Sequence, residues 1–177
     1  MKVLKYLLIA LFLFIGGVLI MAARQPDNFK VERALLIPAK AGKIFPYLND
    51  LRKGREWSPW EEGDSQVKRT FSGPAAGKGA VYDWAGNKEV GKGRLTITES
   101  VENERVKLAL HFIEPMEGDN NVEYILTPKG EATEVRWVMT GPMPFMSKVI
   151  CVFMDRDKMI GSQFDKGLAK LAKVAGK

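Results

Sequence analysis

One cysteine, Cys151, and one histidine, His111, are all that the 177-residue chain has of those two residue types. A lone thiol excludes an internal disulfide and leaves no cysteine for lipoprotein-type attachment near the N-terminus. A lone imidazole, with no Cys, His or carboxylate cluster at ligand spacing, cannot by itself build a metal site, so neither a metal nor a cofactor is expected. Arginine-rich runs, internal repeats and low-complexity tracts are also missing. The formal charge of +6 is therefore scattered, with no exposed aromatic platform in the pattern to pair with it, and nucleic acid is not an expected partner. A mildly basic domain beside an anionic bilayer accounts for the charge. The runs Gly77-Lys78-Gly79-Ala80 and Gly91-Lys92-Gly93-Arg94 lack the Lys-Ser/Thr ending and the following helix of a phosphate loop. Tight turns and sheet curvature explain their glycines.

Charge is absent from residues 6–23. Eighteen helical residues span about 27 Å, enough for the hydrocarbon core of a bilayer. Cleavage after Ala23 would leave Met21 at the third position back, and cleavage after Ala22 would leave Ile20. Neither fits the small-x-small pattern of a signal peptide, so an uncleaved single-pass anchor is expected. Lys2, Lys5 and the α-amino group precede the run, whereas Arg24 is soon followed by Asp27. That bias predicts an inner (cytoplasmic) membrane protein with its soluble domain on the outer, periplasmic side. The chain then divides into a basic flank at 1–5, an anchor at 6–23, a linker at 24–28 and one domain at 29–177. About 150 residues suffice for an ordinary hydrophobic core.

Within the domain, apolar residues recur at Phe145, Val149, Phe153, Ile160, Phe164, Leu168, Leu171 and Ala175. This spacing predicts one long amphipathic helix over 145–175, with Gly161 and Gly167 off the stripe. Alternation predicts strands at 29–37, 65–73, 79–85, 90–100, 104–113, 121–127 and 134–140. Residues 39–51 read as one or two short helical turns that Pro46 should kink or break, and 53–63 as a loop carrying Trp57 and Trp60. Strand, short helices, six meander strands and a long helix make an α+β order: one curved antiparallel sheet of about seven strands around the C-terminal helix.

That order, with Phe29-Lys-Val-Glu-Arg-Ala-Leu-Leu-Ile-Pro-Ala39, Phe45-Pro-Tyr-Leu-Asn-Asp-Leu51, Trp57-Ser-Pro-Trp60, Gly77-Lys-Gly-Ala-Val-Tyr-Asp-Trp-Ala-Gly86, Gly91-Lys-Gly-Arg-Leu-Thr-Ile97 and Phe164-Asp-Lys-Gly-Leu-Ala-Lys-Leu171, resembles the polyketide cyclase/dehydrase group of the SRPBCC superfamily. START lipid-transfer domains and birch-pollen-allergen-like proteins belong to the same superfamily. The resemblance covers about residues 29–174 and implies a helix-grip fold with a cavity between sheet and helix. Pro46 and the N-terminal anchor depart from the enzymes of that group.

The residues point to the same cavity. Trp57, Trp60, Tyr82, Trp84, Leu110, Phe112, Tyr124, Trp137, Met139 and Phe153 are the candidate lining of a site for a hydrophobic small molecule or lipid. Large side chains on one face also make an ordinary filled core, so both readings stay open. Catalytic chemistry is thin. His111, Asp83 and Arg136 alternate away from the apolar face, and no catalytic residue is assigned. Three functions compete: a membrane-tethered binding module for a hydrophobic molecule, a cyclase- or dehydratase-type enzyme in the same cavity, and a structural or stress-related envelope protein whose cavity is filled.

Overall fold

The computed structural model describes residues 2–62, 66–88 and 90–176. Ser65, where the second strand was expected to begin, lies outside the described residues, as do Met1 and Lys177. Helix α1, Lys2–Ala23, carries the uncharged run and is long and apolar enough to cross a membrane. Arg24 to Asp27 then lead into strand β1, Asn28–Ile37.

Helix α2, Ala41–Asn49, follows and buries Ile44, Phe45 and Leu48. Pro46 neither breaks nor ends it: the helix continues for three residues beyond, and the Asp50 N–H closes the last turn on the Pro46 carbonyl at 3.2 Å. Burial of the apolar stripe outweighs the one backbone bond that proline removes. The expected loop is instead a string of short turns: a 3₁₀ turn at Leu51–Lys53, helix α3 at Gly54–Trp57 and a 3₁₀ turn at Pro59–Glu62.

Strands β2 (Lys68–Ser72), β3 (Val81–Ala85), β4 (Lys92–Val101), β5 (Arg105–Glu114), β6 (Gly118–Lys129) and β7 (Ala132–Pro142) complete a seven-stranded sheet. Its order is β1-β7-β6-β5-β4-β3-β2, antiparallel throughout. The meander is the shortest way to wire such a sheet, and β1 closes it by pairing with the last strand. β6 runs through Pro128, so only Gly130, at φ +67°, and its neighbour Glu131 are left to turn the chain into β7. A left-handed residue in so short a connection favours glycine.

The C-terminal stripe is not one helix. Helix α4, Phe145–Cys151, is separated from α5, Arg156–Ala175, by residues 152–155. Asp155 explains the restart, since its carboxylate accepts the Lys158 N–H at 3.0 Å and caps α5, with Asp157 in the first turn. Phe164, Leu168, Leu171 and Ala175 of α5 are buried against the sheet as the period requires. α4 packs on the end of α1 instead.

Gly161 and Gly167 lie on the buried side of α5, where they let helix and sheet approach closely. A Cβ on Gly161 would run into the Arg33 guanidinium. One on Gly167 would stand 2.7 Å from Cζ3 of Trp137 and 3.0 Å from Cδ of Pro59.

Candidate ligand-binding face of the sheet

Alternation and register assemble the inner face of the sheet into rows that run across the strands. One row joins Trp137, Tyr124 and Val106, and the next joins Met139, Val122, Leu108 and Ile97. A third runs through Asn120, Leu110, Leu95, Tyr82 and Phe71. The last holds Gly118, Phe112, Gly93, Trp84 and Arg69. Residues two apart on a strand share a face, so the rows follow directly from the pairing.

The first two rows are filled. Trp137 stacks on Phe164 of α5, with centroids 4.2 Å apart and planes at 7°, and Trp57 stands edge-on to it at 5.3 Å. Tyr124 lies 5.2 Å from Trp137 and 5.7 Å from Trp57. Aromatic pairs in these geometries contribute beyond their burial. The Trp57 indole N–H donates to the Tyr47 carbonyl at 3.0 Å, whereas Nε1 of Trp137 is buried with no hydrogen-bond partner among the described residues. An unmade buried donor costs about 1–3 kcal/mol. Burial alone raises the Tyr124 phenol well above its ordinary pKa.

The last two rows are only partly covered. Leu95, Leu110 and Phe112 are half-buried, as is Trp84, whose ring meets Phe112 edge-on at 5.9 Å. Trp60, 48% exposed, stands edge-on to Trp137 and Phe164. Nine of the ten residues anticipated as lining therefore meet along one continuous face. Phe153 does not: it is 65% exposed in the turn between α4 and α5. The broken helix is the reason, because the stripe from Phe145 to Phe153 belongs to a separate segment that faces outward. An open groove of about 590 Å³ lies there, between the start of β1 and the α4–α5 turn.

Polar groups on the inner face include three that the sequence reading passed over. Glu61, from the turn after Trp60, accepts the Tyr82 hydroxyl at 2.8 Å and pairs with Arg69 at 2.7 Å. The ion pair is largely buried, with side chains 16% and 13% exposed. Asn120 is the third. Arg69 was legible, since it shares the parity of Phe71, but Glu61 comes from irregular backbone that no period describes. Burial, and then the Glu61 carboxylate, push the Tyr82 phenol pKa upward. On the outer face His111 meets Asp119 at 2.7 Å, Asp83 pairs with Arg94 at 2.7 Å, and Arg136 pairs with Glu32 at 2.9 Å. Among the described residues no group of three or more His, Cys, Asp or Glu is placed to hold a metal ion.

Tyr82→Phe tests the network through pH. The unfolded phenol titrates near pH 10, below the folded one, so above about pH 10 the unfolded chain binds fewer protons and stability falls as pH rises. Below that the contribution is constant. The melting temperature of the parent will exceed that of Tyr82→Phe by a fixed margin at neutral pH, and the gap will narrow above about pH 10. Equal melting temperatures at neutral pH would show that the hydroxyl contributes nothing, and a gap that persists unchanged above about pH 10 would show that its titration is not linked to folding.

No family model matches the sequence, and no curated protein matches it. Solved structures do. Protein CV1439 from Chromobacterium violaceum aligns with a TM-score of 0.59 at 14% identity, covering 86% of this chain and 99% of that one. A protein from Thermobifida fusca aligns with a TM-score of 0.60 at 17% identity, over 83% and 93%. The Aha1 dimer from Colwellia psychrerythraea gives 0.59 at 16% identity, over 83% and 96%. At such identities the likeness is one of fold. The shared fold is a helix grip, a curved antiparallel sheet against a C-terminal helix. One architecture can serve unrelated functions, so the fold alone does not select an activity.

Proposed function

We propose that this protein is a membrane-tethered binding module for a hydrophobic small molecule or lipid. α1 is the tether, single-pass in the inner membrane with the domain on the outer side, and the ligand lies on the partly covered inner-face rows. The observation that carries this reading is the pair of rows holding Leu95, Leu110, Phe112 and Trp84, apolar side chains left half-open on a concave face whose other end is tightly packed. A mainly apolar face with a few fixed polar groups suits such a ligand. Asn120, the Tyr82 hydroxyl and the Glu61–Arg69 pair are polar groups in or beside these rows.

One observation favours the alternative, a cyclase- or dehydratase-type enzyme akin to the polyketide cyclase group: Glu61 and Tyr82 are hydrogen-bonded beside the same rows. Arg69 already occupies that carboxylate in an ion pair, so binding remains the better reading.

A diazirine-bearing phospholipid, photolysed with the full-length protein in membranes, tests the proposal. Adducts are expected on peptides from β4 and β5 as well as on α1. Leu110→Trp should lower the β4 and β5 adducts several-fold while leaving those on α1. Labelling confined to α1 would leave a tether without a ligand site and favour the filled-core, structural reading.

A further inference from the structure

Helix α4 is built inside out for an element in water. Its charged residue is buried: Lys148 is 7% exposed, and its ammonium donates to the Gln25 carbonyl at 3.1 Å and to the Asp27 carboxylate at 2.6 Å. Gln25 returns a bond from its side-chain amide to the Lys148 carbonyl at 3.1 Å. Its apolar residues are the ones left outside, Phe145, Met146 and Ile150, and the turn that follows adds Phe153 and Met154. Packing against α1 leaves this face uncovered.

Position indicates what covers it. The Lys148–Gln25–Asp27 contacts lock α4 to the residues that directly follow α1, which ends at Ala23, so its apolar face lies where the span leaves the hydrocarbon. The register places more of the same chemistry at this end of the sheet. β1 begins at Asn28 opposite Pro142, Thr140 pairs with Asn121, and Phe112 pairs with Gly118, so the end of β5 and the β5–β6 connection project on the same side, with Ile113 and Met116 exposed. In water so many exposed apolar side chains at one end of a domain are a liability, whereas at the headgroup–acyl boundary their burial is favourable.

We propose that α4 and the Phe153–Met154 turn are a second membrane contact, lying in the interfacial layer of the bilayer that α1 crosses. The half-covered rows of Leu110, Phe112 and Trp84 belong to this same end of the sheet, so the contact turns the open end of the grip toward lipid. The proposal rests on the reading of α1 as a span.

Spin labels at Leu13, Met146, Phe153 and Glu131, one per variant in a Cys151→Ala background, test it with the full-length chain in vesicles of phosphatidylethanolamine and phosphatidylglycerol. Met146 and Phe153 are 66% and 65% exposed, so labelling them does not disturb the core. Labels at Leu13, Met146 and Phe153 should collide more with oxygen than with a water-soluble nickel chelate, several-fold more than the label at Glu131. Aqueous behaviour at 146 and 153 with Leu13 in lipid would overturn the docking and leave the span standing. Aqueous behaviour at Leu13 would overturn both. Shielding of 146 and 153 from both reagents would put a protein there, a second copy or another partner, and overturn the proposal as well.

Discussion

Gly167→Val will lower the melting temperature by on the order of 10 °C. Overpacking a core costs about 1–3 kcal/mol or more, and in a protein of this size each kcal/mol corresponds to about 2–4 °C. The site belongs at the upper end because its neighbour cannot yield. Trp137, 2.7 Å from the new Cβ, is held by Phe164 on one face and by Trp57 and Trp60 at its edges. Gly161→Ala is the informative comparison. Its Cβ would meet the far end of Arg33, a flexible side chain paired with Asp157 and Asp165, which can swing aside. Calorimetry should therefore show a much smaller loss for Gly161→Ala than for Gly167→Val. Equal losses would mean that the seam between α5 and the sheet is not tightly packed around Trp137.

Arginine at both Leu11 and Leu13 will remove the protein from the membrane fraction, or stop its export altogether. Each arginine at the centre of a spanning helix costs about 2.5–3.5 kcal/mol on insertion scales, and two together outweigh what an 18-residue run can supply. The parent chain should stay in membranes through carbonate extraction and the double variant should not. A mature N-terminus at Arg24 would contradict the tether directly, since the run would then have been a cleaved leader.

How much of this was legible without the structure differs from element to element. Strand β5 was read correctly because Val106, Leu108 and Leu110 alternate with Lys107, Ala109 and His111, and a period of two leaves only one way to face a core. Pro46 misled, because its local penalty was weighed without the burial of Ile44, Phe45 and Leu48 around it. The break at residues 152–155 was missed for the opposite reason. A stripe of apolar residues at helical spacing runs through it, and periodicity reports which residues are apolar, not which surface receives them. Asp155 and Asp157 carried the local signal of a new helix start.

By itself, then, the sequence determined the uncharged run of α1, the α+β order, the parity of strands β3 to β7 and the large apolar residues of the α5 stripe. These follow from composition and from periods of two and of 3.6, which act over a few neighbouring residues. Only the tertiary structure decided that Phe145 and Phe153 face outward beside α1 while Phe164 stacks on Trp137. The same is true of Glu61 reaching Tyr82 across 21 residues, and of Lys148 reaching Gln25 and Asp27 across more than 120. Such contacts depend on how whole elements pack, which no short-range pattern encodes: one apolar stripe can be satisfied by a sheet or by lipid, and only the folded chain says which part meets which.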